Sequence, residues 1–297
     1  MGYRLCSKFI KKFGTKMNKK LFIGLLVFFI IGLVIAAFFD LELSKSVVNM
    51  KNAFCLFLAQ YSEAVGCLAL GIGFIMLNTS LEISNRILYC LCFAFNFIAG
   101  SGLFYNTIYR CFLKESEFFK GIPKDKEKII TIIFAVLIVI ILTMVFKYIV
   151  SSSFKARHKA FSRLGVYWGS AILAIVHTIK PIWGRVRFRD LDSDYSLFHV
   201  WYYPQQAIIH DKMGKSFPSG HTTAAWLALI ILFLFQYKSK RTQNIVMALI
   251  IFWGCLVGSS RIVVGAHYLS DVLFASMISI LSFVSIYHYR DKYILSN

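Results

Sequence analysis

Three short stretches of the chain gather the residue types that bind anions and move protons. The first, Lys180-Pro181-Ile182-Trp183-Gly184-Arg185-Val186-Arg187-Phe188-Arg189, places four cations in ten residues. Guanidinium forks match the oxygens of a phosphate in two-point geometry, so this run suits a concentrated anion. Cationic side chains snorkelling toward lipid headgroups would give the same composition. The second, Ser216-Phe217-Pro218-Ser219-Gly220-His221, stands directly before the apolar run 222–237. There Ser219 can cap a helix, Gly220 lets a ligand approach the backbone, and the free N–H groups of a helix start form a ready phosphate site. His221 falls in the first turn, within reach of the same ligand; a capped helix start with an incidental His is the plainer reading. The third, Ser260-Arg261-Ile262-Val263-Val264-Gly265-Ala266-His267-Tyr268-Leu269-Ser270-Asp271, sets His267 and Asp271 four apart, on one face of a helix. A carboxylate on one imidazole nitrogen fixes the tautomer and frees the other nitrogen to attack. A buried His–Asp pair of purely structural value would have the same spacing.

The elements that must position these groups are membrane helices. Of 297 residues, 58% are hydrophobic and 16% charged, against about 25% charged in average soluble domains, and the mean hydropathy is +0.66. Apolar stretches of spanning length recur along the chain, which excludes a secreted enzyme, a cytosolic globule and a conventional nucleic-acid binder. The net charge of +19, from 33 Lys and Arg against 14 Asp and Glu, then reads as basic loops facing anionic headgroups. The seven cysteines, at 6, 55, 67, 90, 92, 111 and 255, mostly fall inside apolar stretches without metal-like spacing. They are expected to be buried thiols outside any disulfide framework.

Eight spans are expected: 21–39, 64–78, 87–109, 129–146, 164–179, 222–237, 245–260 and about 272–286. The basic, acid-free first twenty residues put the amino end in the cytoplasm, ahead of a first helix that lacks a cleavage site and is expected to be retained. Parity then assigns 79–86, 147–163 and 238–244 to the cytoplasm and 40–63, 110–128, 180–221 and 261–271 to the outside, so all three clusters share the outer face. The mixed segment 40–62 reads equally as an amphipathic interfacial helix or an ordinary loop. The spans flanking the clusters are short, so ionisable groups must sit at or inside the bilayer edge, where they are functional candidates by default. Trp183, Trp201, Tyr202 and Tyr203 are expected as interfacial anchors. The whole chain, 1–297, reads as one integral membrane domain. The fold class expected is an all-α, polytopic transmembrane helix bundle of about eight spans.

The clusters together supply cations, a helix-end anion site, two histidines and an orienting carboxylate. There is no binuclear-metal spacing, no Cys-x5-Arg loop, no Walker-type loop and no GxGxxG. The combination Lys-x6-Arg, then Pro-Ser-Gly-His, then Ser-Arg-x5-His-x3-Asp resembles the signature of the type-2 phosphatidic acid phosphatase superfamily. The second and third motifs match at every defining position. The first departs from the pattern at Phe188, where Pro is usual after the motif Arg; the departure touches the loop's path and leaves its cations in place. The resemblance covers roughly 160–287, the catalytic half, with a weaker similarity in Asp40-Leu41-Glu42-Leu43-Ser44. Six spans are usual in that superfamily, so the core is expected to be six helices and the pair around 87–146 looks like an insertion that preserves sidedness.

The resemblance implies a metal-independent phosphatase without a cofactor, acting on a lipid phosphate or diphosphate. Span parity puts it at the outer face, the Lys-, Ile- and Phe-rich composition suggests a low-GC bacterial genome and so the plasma membrane, and the spans leave no nucleic-acid partner. His267 would attack phosphorus and form a phosphohistidine, with Asp271 holding its ring. His221 would protonate the departing oxygen and then activate water. Lys180, Arg187 and Arg261, with the Ser219 hydroxyl and Gly220 N–H, would hold the equatorial phosphoryl oxygens. Arg185 and Arg189 would contact a second phosphate or headgroup, or be solvated. A lipid phosphotransferase, passing the phosphoryl group to an alcohol or phosphate acceptor, is the alternative within the same chemistry. A transporter or scaffold that kept the fold is the alternative outside it.

Overall fold

The computed structural model describes residues 19–113, 123–204 and 214–295. Among them the chain is a bundle of α-helices. In order these are α1 (Lys19–Val47), α2 (Ala53–Asn78), α3 (Arg86–Ile108), α4 (Lys124–Met144), the short α5 (Ser152–Arg157), α6 (Val166–Trp183), α7 (Gly220–Trp226), α8 (Leu232–Phe235), α9 (Lys240–Val263) and α10 (Leu269–Leu295). A π-helical turn, Tyr109–Leu113, extends α3, and a 3-10 turn, Leu227–Ile231, joins α7 to α8. Among the described residues, six helices are long and apolar enough to cross a membrane: Lys19–Val47, Ala53–Asn78, Arg86–Phe112, Lys124–Ile149, Lys240–Val263 and Leu269–His288. The remaining two expected spans are also helical but shorter, α6 and the α7–α8 rod, Gly220–Phe235. The protein is an all-α polytopic membrane bundle.

Local sequence sets where each helix begins and ends. Asn52, Asn85 and Ser219 cap α2, α3 and α7 by accepting from the N–H groups of Cys55, Leu88 and Thr222. The helix α6 ends at Gly184, whose φ of 62° is left-handed and free of strain only without a Cβ. That turn launches the loop carrying Arg185 and Arg187. The central packing layer is α2 against α7 and α9. At Gly66 a Cβ would fall 2.0 Å from the Ala224 carbonyl, so α2 and α7 touch backbone to backbone. Around this contact lie Leu70, Phe74, Trp226, Leu227, Ile230 and Phe233, all buried. α10 leans on α1, and α3 with α4 packs on the far side of α2 through Ile75, Phe104, Ala135 and Val139.

Several sequence expectations change here. The segment 40–62 is neither an interfacial helix nor a loop. Residues through Val47 complete α1, and α2 begins at Ala53, leaving a five-residue turn at 48–52. The chain keeps α1 helical through its charges because Asp40 is buried against a cation, described below. The cysteines are not uniformly buried. Cys55 and Cys67 are, Cys92 and Cys111 are partly covered, and Cys90 and Cys255 lie on the outer surface of apolar helices. A thiol is a small apolar group that can face lipid as readily as a core. All six are free, and Cys6 lies outside the described residues, as do the basic amino-terminal residues and Asp211. Trp183 and Trp201 are not simple anchors. Trp183 donates to the Trp201 carbonyl and stacks on Phe217, while Trp201 donates to the Leu33 carbonyl, tying the loop after α6 onto α1. Tyr202 and Tyr203 are exposed.

Candidate active site

All three clusters come together at one end of the bundle, where α1, α3, α6 and α9 finish and α2, α7 and α10 begin. The first turn of α10 is the anchor. Asp271 stands at its third position and its Oδ2 accepts from the Tyr268 N–H at 2.9 Å, the carboxylate half of a capping box. Asp40 Oδ1 accepts from the Ser270 N–H at 3.0 Å, so two carboxylates satisfy the free donors of this helix start. Between them lies Arg185, only 1% exposed. Its Nη1 donates to Asp271 Oδ1 at 2.6 Å and to Ser270 Oγ at 2.7 Å, its Nη2 to Asp40 Oδ2 at 2.9 Å and its Nε to the His199 carbonyl at 2.8 Å. Its Cζ lies 4.1 Å from the centre of the Tyr268 ring. Ser216 donates to Asp271 Oδ2 at 2.5 Å, and Ser270 donates to Asp40. Arg185 is therefore neither solvated nor a ligand for substrate. It is the buried counter-ion of two acids, and burial is tolerable because each polar atom is paired.

His267 sits in the turn before α10, 3% exposed. Its Nδ1 lies 3.6 Å from Asp271 Oδ2, beyond a full hydrogen bond but directed by the acid's charge, and Nδ1 has no closer partner. Burial pushes the imidazole down to about 4, with Asp271 opposing and the nearby Lys180 ammonium adding to the fall. At neutral pH the ring is thus uncharged, with Nε2 left for a ligand.

Of the expected anion-binding groups, Lys180 and Arg261 lie near enough for their charges to act on this histidine. Lys180, in the last turn of α6, donates to the Lys215 carbonyl at 3.0 Å and lies over the α7 start, where its Cε is 3.3 Å from the place a Gly220 side chain would fill. It shares the field of Asp271, Arg187 and Arg261. Arg187 has its Nε buried without a partner, and Arg261 has Nε and Nη1 in the same condition. Unpaired buried guanidinium donors are costly, and an anion bound between them removes the cost. Arg187 is lowered from the usual arginine value by burial and then by Arg189 beside it. Ser219 is fully buried and accepts from Thr222 Oγ1 at 2.8 Å, which leaves its own hydroxyl proton for an acceptor. Ser260 donates to the Val257 carbonyl, a helix-internal bond with no link to the site. Arg189 is 3.6 Å from Asp190 and half-exposed.

His221 has surroundings that the motifs did not disclose. Its Nε2 is 3.3 Å from Glu63 Oε1 on α2 and 3.4 Å from Arg110 Nη1 at the end of α3. Asn106 donates to Glu63 Oε2 at 3.2 Å and accepts from Arg110 Nε at 2.9 Å. Sequence reasoning left Glu63 in an outer loop and Arg110 in a basic one. The one usable signal was an acid next to an apolar helix, which is costly unless paired. Among the described residues, no group of three or more His, Cys, Asp or Glu is arranged to hold a metal ion. An apolar cavity of roughly 600 Å³ runs along the bundle between α1, α7, α9 and α10, from Leu21 and Phe283 up to Ile262 and Leu269 near the site end.

Residues 161–294 match the family model of the PAP2 superfamily. Over 73 residues the chain is 37% identical to phosphatidylglycerophosphatase B of Haemophilus influenzae, a stretch covering 23% of this chain and 30% of that protein. No solved structure matches. The match falls on the part of the chain that carries the three motifs and bears out the resemblance read from them.

Proposed function

We propose that the protein is a metal-independent lipid phosphatase of the bacterial plasma membrane, working at the outer face through a phosphohistidine. The observation that carries this is the set of unpaired buried donors on Arg187 and Arg261 beside an uncharged His267. The match of residues 161–294 to the PAP2 family model and the similarity to a protein named phosphatidylglycerophosphatase B support a lipid phosphate as substrate. The apolar cavity that reaches Ile262 and Leu269 near the site end suits its hydrocarbon.

His267 Nε2 attacks phosphorus while Lys180, Arg187, Arg261, the Ser219 hydroxyl and the Gly220 N–H hold the equatorial oxygens. The P–O bond to the lipid breaks, its electron pair passes to the bridging oxygen, and that oxygen takes a proton from His221. In the second step water attacks phosphorus as His221 takes one of its protons, and the P–N electron pair returns to His267. Asp271 stabilises the positive ring between the two steps. The sidedness follows from the basic amino terminus and helix parity. The entire chain acts as one membrane domain with residues 160–287 as its catalytic half.

The test is phosphate release from a panel of lipid phosphates, including phosphatidylglycerol phosphate, phosphatidic acid and a polyprenyl diphosphate, with EDTA present. Wild type is expected to release phosphate and His267→Ala to lose at least about 10³-fold of that rate. Loss of all release in EDTA overturns metal independence. Label passing to an alcohol or phosphate acceptor in place of water establishes the phosphotransferase.

A further inference from the structure

The histidine that exchanges protons has a carboxylate of its own, and it comes from outside the PAP2 match. Glu63 lies on α2, three residues before Gly66, and His221 lies on α7, three residues before Ala224. Because Gly66 and Ala224 touch backbone to backbone and both helices leave the site end in the same direction, one turn back brings Glu63 opposite His221. The carboxylate divides its work. Oε1 faces His221 Nε2 at 3.3 Å, while Oε2 accepts from Asn106 at 3.2 Å and pairs with Arg110 at 3.4 Å. Gln60 donates to the Arg110 carbonyl at 3.1 Å, binding the end of α3 to α2 once more. Glu63 is 14% exposed, so the charge is largely withdrawn from solvent and needs these partners.

We propose that Glu63 is a positioning residue for His221: held by Arg110 and Asn106, its carboxylate keeps Nε2–H of the ring directed at itself and leaves Nδ1 to exchange the proton with substrate. This rests on the acid–base role given to His221 above. A general acid and base must hold its ring still in two protonation states. An acceptor on Nε2–H does that in both, because Nε2 keeps its hydrogen while Nδ1 gives one to the leaving oxygen and later takes one from water. Arg110 lies 3.4 Å from the same nitrogen. With Nε2 protonated both groups are donors, and Glu63 is the acceptor between them. Arg110 and Asn106 both lie on the helix pair that exceeds the six-helix core, so that pair contributes to the chemistry as well as to the bundle.

The test uses the full-length protein in detergent, enzyme in excess, and reads leaving-group release in a single turnover. Two probes are compared: the best-cleaved alkyl phosphate lipid of the panel, and p-nitrophenyl phosphate, whose phenolate leaves without a proton. Glu63→Gln is expected to slow release from the lipid by about 10- to 100-fold and to change nitrophenol release by less than about threefold. Glu63→Asp, which keeps the acceptor at a longer reach, is expected to recover part of the loss. His221→Ala should show the same dependence on leaving group, and adding Glu63→Gln to it should slow nothing further. Equal loss on both probes in Glu63→Gln and Glu63→Asp, or losses that multiply in the double variant, overturns the proposal while leaving the phosphatase reading intact. A wild type that cleaves neither probe overturns the phosphatase reading and this inference with it.

Discussion

Each histidine of the site is backed by an acid, and the two settings are built differently. Asp271, behind His267, is fully buried and receives Ser216, the Tyr268 N–H and Arg185 at 2.5 to 2.9 Å. Glu63, behind His221, is partly exposed and its contacts run from 3.2 to 3.4 Å. Yet the tightly held acid is the one farther from its histidine, 3.6 Å against 3.3 Å. Asp271 is positioned by everything except His267, because it also caps α10 and balances Arg185. Glu63 caps nothing, and its surroundings serve His221. Damage behind His267 should therefore appear first as lost folding, and damage behind His221 first as lost rate.

The largest effect expected from this difference is at Arg185. Arg185→Met removes the cation between Asp40 and Asp271 and leaves two buried acids facing each other. A loss of about 3–5 kcal/mol is expected, enough to prevent accumulation of folded protein. Thermal unfolding in detergent and yield in the membrane fraction measure it. Arg110→Met removes a cation that is one-third exposed and should leave the melting temperature within a few degrees of wild type while slowing turnover. A reversal of the two outcomes would break the comparison.

The next effect is pH dependence on the His267 side. The group's folded value, about 4, lies below its ordinary 6.5, so the folded state resists taking the proton that the unfolded chain accepts. Its contribution to stability is whole above pH 6.5 and is lost as pH falls from there through about 4, on the order of 3 kcal/mol across the window. Wild type should therefore lose melting temperature more steeply than His267→Gln between pH 7 and pH 4.5. Parallel curves would show that His267 is not the buried neutral ring described here.

A smaller loss is expected from Ser216→Ala, which takes away one of three donors to Asp271. Hydrogen bonds to a charged group contribute about 1.5–3 kcal/mol. The remaining donors hold the carboxylate, so activity should fall less than stability. The readouts are the melting temperature and kcat on the best lipid of the panel.

What could be read from the sequence divides along the same line. The His267 side is local: His267, Ser270 and Asp271 lie within five residues, and their spacing paired the acid with the histidine, although His267 stands in the turn before α10 and not on a shared helix face, with its Nδ1 3.6 Å from the carboxylate. Spans were legible because apolar runs of that length have few alternatives. Charge density at a helix end marked the run from Lys180 to Arg189 as a candidate anion site, and the phosphate-binding roles of Lys180, Arg187 and Arg261 came from the resemblance. Asp40 and Arg185 were each visible as charges at the bilayer edge, but their pairing joins residues 145 apart, and nothing local names a partner at that separation. The same applies to Glu63 with His221. That contact depends on Gly66 letting two helices meet, and a glycine in an apolar helix does not announce which neighbour it admits. Arg185 was misjudged for a related reason: it shares a short basic run with Arg187, and only the fold turns one inward to the acids and the other toward the site.

The smallest effect, and the sharpest for the comparison, is at Asn106. Its amide is one of two groups holding Glu63, and it also accepts from Arg110. Asn106→Ala leaves the Glu63–Arg110 pair in place, partly in reach of solvent, so the stability cost should stay at about 0.5–1 kcal/mol. Release of the lipid leaving group should slow a few-fold, because Glu63 keeps its charge and loses one constraint on its orientation. Melting temperature and single-turnover release, measured side by side with Ser216→Ala, decide it. The Ser216 variant should lose more stability than rate, and the Asn106 variant more rate than stability. If both lose stability alike and rate alike, the two acids are equally structural, and the division of labour between the histidines' partners does not hold.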